Sequence, residues 1–266
     1  MTRRTYDSTK TRVAPVFDGL FQRDPSGEDW LSDLLSLPHE GHLLSTRIAQ
    51  DPGRIEEARW DSVADRRMRE AKLDPPSSLL SWIVRHLGEV RTDPISGDDR
   101  KAKLRRKLRD GHPETVAKAL VKLRSDPRPR AWYVLEGRSC PDVFLATSEA
   151  VIVIEGKRTE RGPTTTTTWM PGRHQMLRHM DAAYEIAGQR EVLGFFIVEG
   201  GSKSEVPPKW LDAAQQTFSS EVIRNSLPHR PEKERALIAR GFLGMTTWQQ
   251  VCDRCGLERD VLIERI

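Results

Sequence analysis

Two short apolar runs, set back to back and closed at both ends by carboxylates, constrain the fold of this chain more than any other feature. Between Pro141 and Lys157 it reads PDVFLATSEAVIVIEGK. Branched and aromatic residues on either side of Ser148-Glu149 have the pattern of a β-hairpin. With the turn centred there, Ala146 faces Val151, Phe144 faces Val153 and Asp142 faces Glu155. Opposite residues share a face of the sheet, with Cβ atoms about 5 Å apart. The period of two adds Lys157 to that face and sends Val143, Leu145, Ile152 and Ile154 to the other.

Two facing carboxylates on an otherwise apolar sheet repel, and one stays protonated unless a cation joins them. Oxygen ligands with open positions suit Mg²⁺, with Mn²⁺ substituting, because both ions keep waters and bind phosphate oxygens. Lys157 is placed to stabilise charge on a pentavalent phosphorane or to help activate the attacking water. That combination points to hydrolysis of a phosphodiester.

The neighbouring segments suggest an α/β core over 113–200. A helix should start near Pro113 and run through Val116, Leu120 and Leu123 to Asp126-Pro127. AWYVLEG (131–137) has the composition of a first strand, with the hairpin supplying two more. A threonine-rich loop, RTERGPTTTTTWMPG, leads into a helix over about 172–188 with Met176, Leu177, Met180, Ala183 and Ala187 on one face. VLGFFIV (192–198) is apolar throughout, as expected of a strand covered on both sides. The order is helix, three strands, helix, strand.

Helical additions are expected at both ends. Residues 1–27 begin as a basic, polar and flexible arm, and 28–112 should be helical. Within the latter, GRIEEARWDSVADRRMREAKL (53–73) has few helix breakers, and SSLLSWIVRHLGEV places Leu79, Ile83, Leu87 and Val90 on one stripe. Residues 201–266 also read as helices, ending in TTWQQVCDRCGLERDVLIERI. That stretch has the outline of a helix-turn-helix, with Gly256 at its turn.

The chain has 266 residues, of which 31% are charged, and a formal net charge of +4. No apolar run approaches a membrane span or a signal-peptide core, so the expected location is cytoplasmic with no membrane partner. Cys140, Cys252 and Cys255 form no disulfide framework, and the Cys252-x-x-Cys255 pair has no second pair to complete a zinc site. Basic residues gather in DDRKAKLRRKLRDG (98–111) and at Arg158, Arg161, Arg173 and Arg178, a distribution compatible with a polyanion partner.

Pro141-Asp142 followed by Glu155-Gly156-Lys157 at the end of the next strand resembles the PD-(D/E)XK nuclease superfamily, the restriction-endonuclease-like fold. The element order over 113–200 is similar as well. The resemblance implies metal ligands at Asp142, Glu155 and the Gly156 carbonyl, with Lys157 as catalytic lysine. It implies a Mg²⁺-dependent nuclease acting on DNA, less often RNA, with Arg158, Arg161, Arg173, Gln175 and Arg178 as nucleic-acid contacts. Some relatives carry Gln-x-x-x-Tyr on the next helix, where this chain has Gln175 and His179. Glu114, before the strands, projects to the surface beside Lys118. A homodimer would allow both strands to be cut. The alternatives are a non-catalytic nucleic-acid-binding module and a nuclease-like subunit of a larger defence or repair assembly.

Overall fold

The hairpin forms in the expected register. In the computed structural model, which describes residues 7–40, 45–125 and 131–262, Val143 pairs with Ile154, Phe144 with Val153, Leu145 with Ile152 and Ala146 with Val151. These two strands lie in a six-stranded mixed sheet. Its strands are β1 (His39–Glu40), β2 (Ile55–Arg59), β3 (Val143–Thr147), β4 (Ala150–Gly156), β5 (Glu191–Val198) and β6 (Phe242–Thr247), in the spatial order β1-β6-β5-β4-β3-β2. The pairs β2–β3, β3–β4 and β1–β6 are antiparallel, whereas β4, β5 and β6 are mutually parallel. The protein is therefore an α/β structure.

The helices are α1 (Ala14–Arg23), α2 (Leu31–Ser36), α3 (Ser45–Gln50), α4 (Ser77–Val90), α5 (Arg100–Arg109), α6 (Pro113–Ser125), α7 (Gln175–Ala187), α8 (Pro208–Thr217), α9 (Ser220–Ser226), α10 (Glu232–Arg240) and α11 (Trp248–Arg254). The alternation along the hairpin decides what each face carries. Val143, Leu145, Ile152 and Ile154 pack with Phe17 and Leu20 of α1, Trp30 just before α2 and Trp248 of α11. Phe144, Ala146, Val151 and Val153 meet Met176, Leu177, Met180 and Ala183 of α7 on the opposite face. Helices on both sides explain why β4 and β5 read as unbroken apolar runs. At Gly194 of β5 an added Cβ would lie 2.7 Å from the Met180 sulfur and 2.8 Å from that of Met176. Only glycine lets α7 lie this close. A third cluster joins α4, α5 and α6 around Leu79, Ile83, Leu87 and Leu123.

Several expectations are corrected. AWYVLEG forms no strand; it is an irregular segment, and the place beside β3 belongs to β2. β2 lies inside 53–73, a region its composition marked as helical. Residues 60–76 likewise form no helix. Far from forming a flexible arm, residues 8–23 form a π-helical turn continuing into α1, and Val13, Val16, Phe17 and Leu20 are fully buried. Residues 1–6 of that arm lie outside the described residues. The C-terminal region contributes strand β6 as well as helices. After α11 the chain turns at Gly256 (φ +68°) into a short 3-10 turn at Arg259–Val261, so no second recognition helix follows among the described residues. Cys252 and Cys255 are free and buried in the α11 packing, and burial pushes their thiols up to about 11 and about 12. Among the described residues no helix is long and apolar enough to cross a membrane.

Candidate active site

The strand register brings Asp142 and Glu155 together at the carboxyl end of β4, on the face covered by α7. Asp142 accepts a hydrogen bond from the Gly156 N–H at 2.8 Å, so its side chain caps the end of the hairpin. Lys157 directs its own N–H to the Ile197 carbonyl at 2.8 Å. Its carbonyl takes the Trp248 indole N–H at 3.0 Å. Within an extended strand the N–H and C=O of a residue point to the same side and alternate from one residue to the next. The Gly156 carbonyl is accordingly directed to the Asp142 side. A Cβ at Gly156 would lie 2.6 Å from Trp248 and 2.7 Å from Val13, so close packing dictates the glycine.

Glu155 is held from three directions. Its Oε1 accepts from Lys157 Nζ at 2.7 Å and from Gln175 Nε2 at 2.5 Å. Oε2 lies 3.0 Å from His179 Nε2, within ion-pair distance but without hydrogen-bond geometry. The other ring nitrogen of His179 is hydrogen-bonded to Ser139 Oγ at 2.6 Å. Burial raises the Glu155 carboxyl, but His179 and Lys157 more than offset it and hold the group below its ordinary value. Burial opposes the charge on Lys157, and Glu155 more than restores it, so the ammonium pKa lies above its ordinary value. Asp142 is the group left without compensation. Burial and then the Glu155 charge push its pKa up to about 8, against weaker opposition from the Gly156 N–H and Lys157. One carboxylate of the pair is thus neutral at pH 7 in the absence of a further cation.

The groups that could hold a hard divalent cation here are the two facing carboxylates and the Gly156 carbonyl on the Asp142 side. Among the described residues no group of three or more His, Cys, Asp or Glu side chains is arranged to hold a metal. An ion would therefore complete its shell with the carbonyl and water, as Mg²⁺ commonly does.

The expected nucleic-acid contacts separate into two groups. Gln175 faces the site as expected, but its amide holds Glu155. Arg173 is fully buried, bonded to Glu136 at 3.0 Å, Asp181 at 2.7 Å and the Ser226 carbonyl at 2.7 Å, so it has no surface to offer a nucleic acid. Arg178 is partly exposed and directs one nitrogen to the carbonyls of Gly137 and Arg138. Arg158 is partly buried where the loop begins, and Arg161 is exposed. Glu114 pairs with Lys118 at 3.9 Å on the surface.

Glu70, Ser139 and Trp248 belong to the site's surroundings but carry no local signature. Glu70 lies in the irregular segment after β2, which bridges to Ser139 through Leu73. Burial, followed by Asp61 and Glu155, raises its pKa. Ser139 carries no motif, and its role appears only once the Leu73 bridge sets it beneath α7. Trp248 opens a helix whose Thr247 and Gln250 form a capping box. That start was legible, whereas its contact with the end of β4 depends on strand order. No family model matches the chain, and neither the curated proteins nor the solved structures contain a match to it.

Proposed function

We propose that this chain is a metal-dependent nuclease with a restriction-endonuclease-like core, hydrolysing phosphodiester bonds in DNA first and RNA second. The observation that carries this reading is the facing pair Asp142 and Glu155, with the Lys157 ammonium 2.7 Å from Glu155. Asp142, Glu155 and the Gly156 carbonyl would hold Mg²⁺, with Mn²⁺ substituting. Bound there, the ion would supply a polarised phosphate oxygen and a water acidified toward neutral pH. Gln175 fixes the orientation of Glu155, and the His179–Ser139 pair supports its second oxygen. Lys157 remains charged at neutral pH, and in this reading its ammonium would stabilise the negative charge that accumulates on the phosphate as water attacks.

One observation favours the second reading, a binding module or nuclease-like subunit of a defence or repair assembly. Lys157 is closed onto Glu155 in a nearly solvent-free contact, with side chains 12% and 5% exposed. Opening it would be the work of a substrate or partner. The experiment compares wild type, Asp142→Ala and Lys157→Ala on supercoiled plasmid, linear duplex, single-stranded DNA and RNA, with Mg²⁺, Mn²⁺ or EDTA. The proposal expects metal-dependent cutting by wild type alone, with rates at least about 100-fold lower in both variants. If wild type binds these substrates without cutting under any condition, the second reading replaces it.

A further inference from the structure

Beside the candidate active site is a cavity of about 330 Å³ whose lining includes Gly162, Pro163, Thr165, His174, Val222 and Asn225. His174 is 1% exposed, and neither ring nitrogen has a hydrogen-bond partner. It contacts Phe196 and Phe218 edge-on, with ring centroids 6.3 and 6.0 Å away. Burial, and to a lesser extent His179, pushes its pKa down to about 3, so the ring is neutral and has one donor and one acceptor. A buried polar group left without a partner calls for an explanation, because each unmatched donor or acceptor is costly.

The lining chemistry defines the ligand. Those six residues include no Lys, Arg, Asp or Glu, which argues against a phosphate or a metal ion. The volume lies at the small end of small-molecule sites. Pro163 and Val222 offer apolar walls, while His174, Thr165 and Asn225 offer a mixed set of donors and acceptors. A neutral, flat, heteroaromatic ring with edge donors and acceptors matches this set. The position is equally restrictive. His174 immediately precedes Gln175, whose amide holds Glu155, and Gly162 and Pro163 belong to the loop that leaves Lys157.

We propose that this cavity receives one unstacked nucleobase next to the scissile phosphate, read by His174 and Asn225. The inference rests on the nuclease reading for its substrate. Its binding step can be tested separately. A single abasic nucleotide is moved stepwise through a fluorescent single-stranded oligonucleotide, and affinity is measured with Ca²⁺ for wild type, His174→Phe and Asn225→Ala. Asn225 is exposed, so its variant probes the pocket if His174→Phe fails to fold. Adenosine, cytidine, guanosine and thymidine are titrated in parallel by NMR.

Wild type should lose about tenfold in affinity at one abasic position and little elsewhere. The variants should show the intact-oligonucleotide loss without a further abasic penalty, and at least one nucleoside should shift resonances in wild type only. A flat abasic series with an oligonucleotide that still binds and is cut overturns the pocket while leaving the nuclease reading intact. Nucleoside binding abolished by His174→Phe, in a protein that never cuts, supports the pocket and overturns the nuclease. If no nucleoside or oligonucleotide binds, the pocket proposal is overturned, and the nuclease reading is decided by the cleavage comparison on duplex and plasmid.

Discussion

At the scale of single residues, Asp142 has the unfavourable environment. Its folded-state pKa, about 8, lies above its ordinary value of 3.8. Between those values the native protein holds more protons than the unfolded chain, so metal-free stability falls as pH rises through that window and levels off above it. Asp142→Asn keeps an oxygen for the Gly156 N–H but removes the charge. With EDTA present, it should stabilise the protein by ~2–4 kcal/mol at pH 8 and by almost nothing at pH 4. Urea unfolding of the two proteins across that range checks this; a difference that does not change with pH contradicts it. Gly156→Ala acts by a different route. Its Cβ would collide with Trp248 and Val13, so the substitution should cost about 1–3 kcal/mol and displace the strand end that carries Glu155 and Lys157. Thermal unfolding with the same Tm as wild type would refute that packing argument.

At the scale of elements, α7 links the site to the rest of the fold. Its inner face packs on β4 and β5, its first two turns supply Gln175 and His179 to Glu155, and a buried ion cluster secures its start. In that cluster Arg173 joins Glu136 and Asp181, and Arg230 bonds Asp181 at 2.8 Å. Asp181 is fully buried; desolvation raises its pKa, but Arg173 and its other partners hold it far below the ordinary range. Removing one member leaves buried charge uncompensated, so Arg173→Met should destabilise the protein by about 3–5 kcal/mol. The urea midpoint should fall while the slope of the transition stays unchanged; a loss under about 1 kcal/mol would show the cluster to be dispensable. The same cluster explains the misread strand. Branched and aromatic residues in AWYVLEG have strand-like composition, yet Glu136 is committed to Arg173, and Tyr133 and Leu135 pack on the helical cluster of α4–α6. Local composition does not register such long-range partners.

At the scale of the whole molecule, the legible parts were those whose information is local. The hairpin register follows from alternation around Ser148-Glu149, α4, α6 and α7 follow from their periodicity, and β5 follows from its unbroken apolar run. β2 and β6 were missed for opposite reasons. Ile55–Arg59 is a mostly polar edge strand, with little apolar alternation to mark it. FLGMTT mixes apolar and polar residues without clear alternation and directly follows Gly241, which resembles a helix stop. Its role as a parallel neighbour of β5 is set by the sheet. β2 is an edge strand and β6 lies between β5 and the two-residue β1, so the sequence revealed the centre of the sheet better than its flanks. The candidate site was legible to the same extent: Asp142, Glu155, Gly156 and Lys157 come from the hairpin, whereas Ser139, Glu70 and Trp248 are brought in by contacts across the fold.

The central claim is that Asp142 and Glu155 form a cation site, and calorimetric titration of the full chain with Mn²⁺ or Mg²⁺ tests it without a known substrate. Measurements in two buffers of different ionisation enthalpy count the protons released. With Asp142 at about 8 before the ion binds, one ion per chain should release about 0.9 proton at pH 7 and about 0.1 at pH 9. Asp142→Ala should abolish both the binding and the release. Failure of either ion to bind at millimolar concentration, or binding unchanged in Asp142→Ala, would contradict the account.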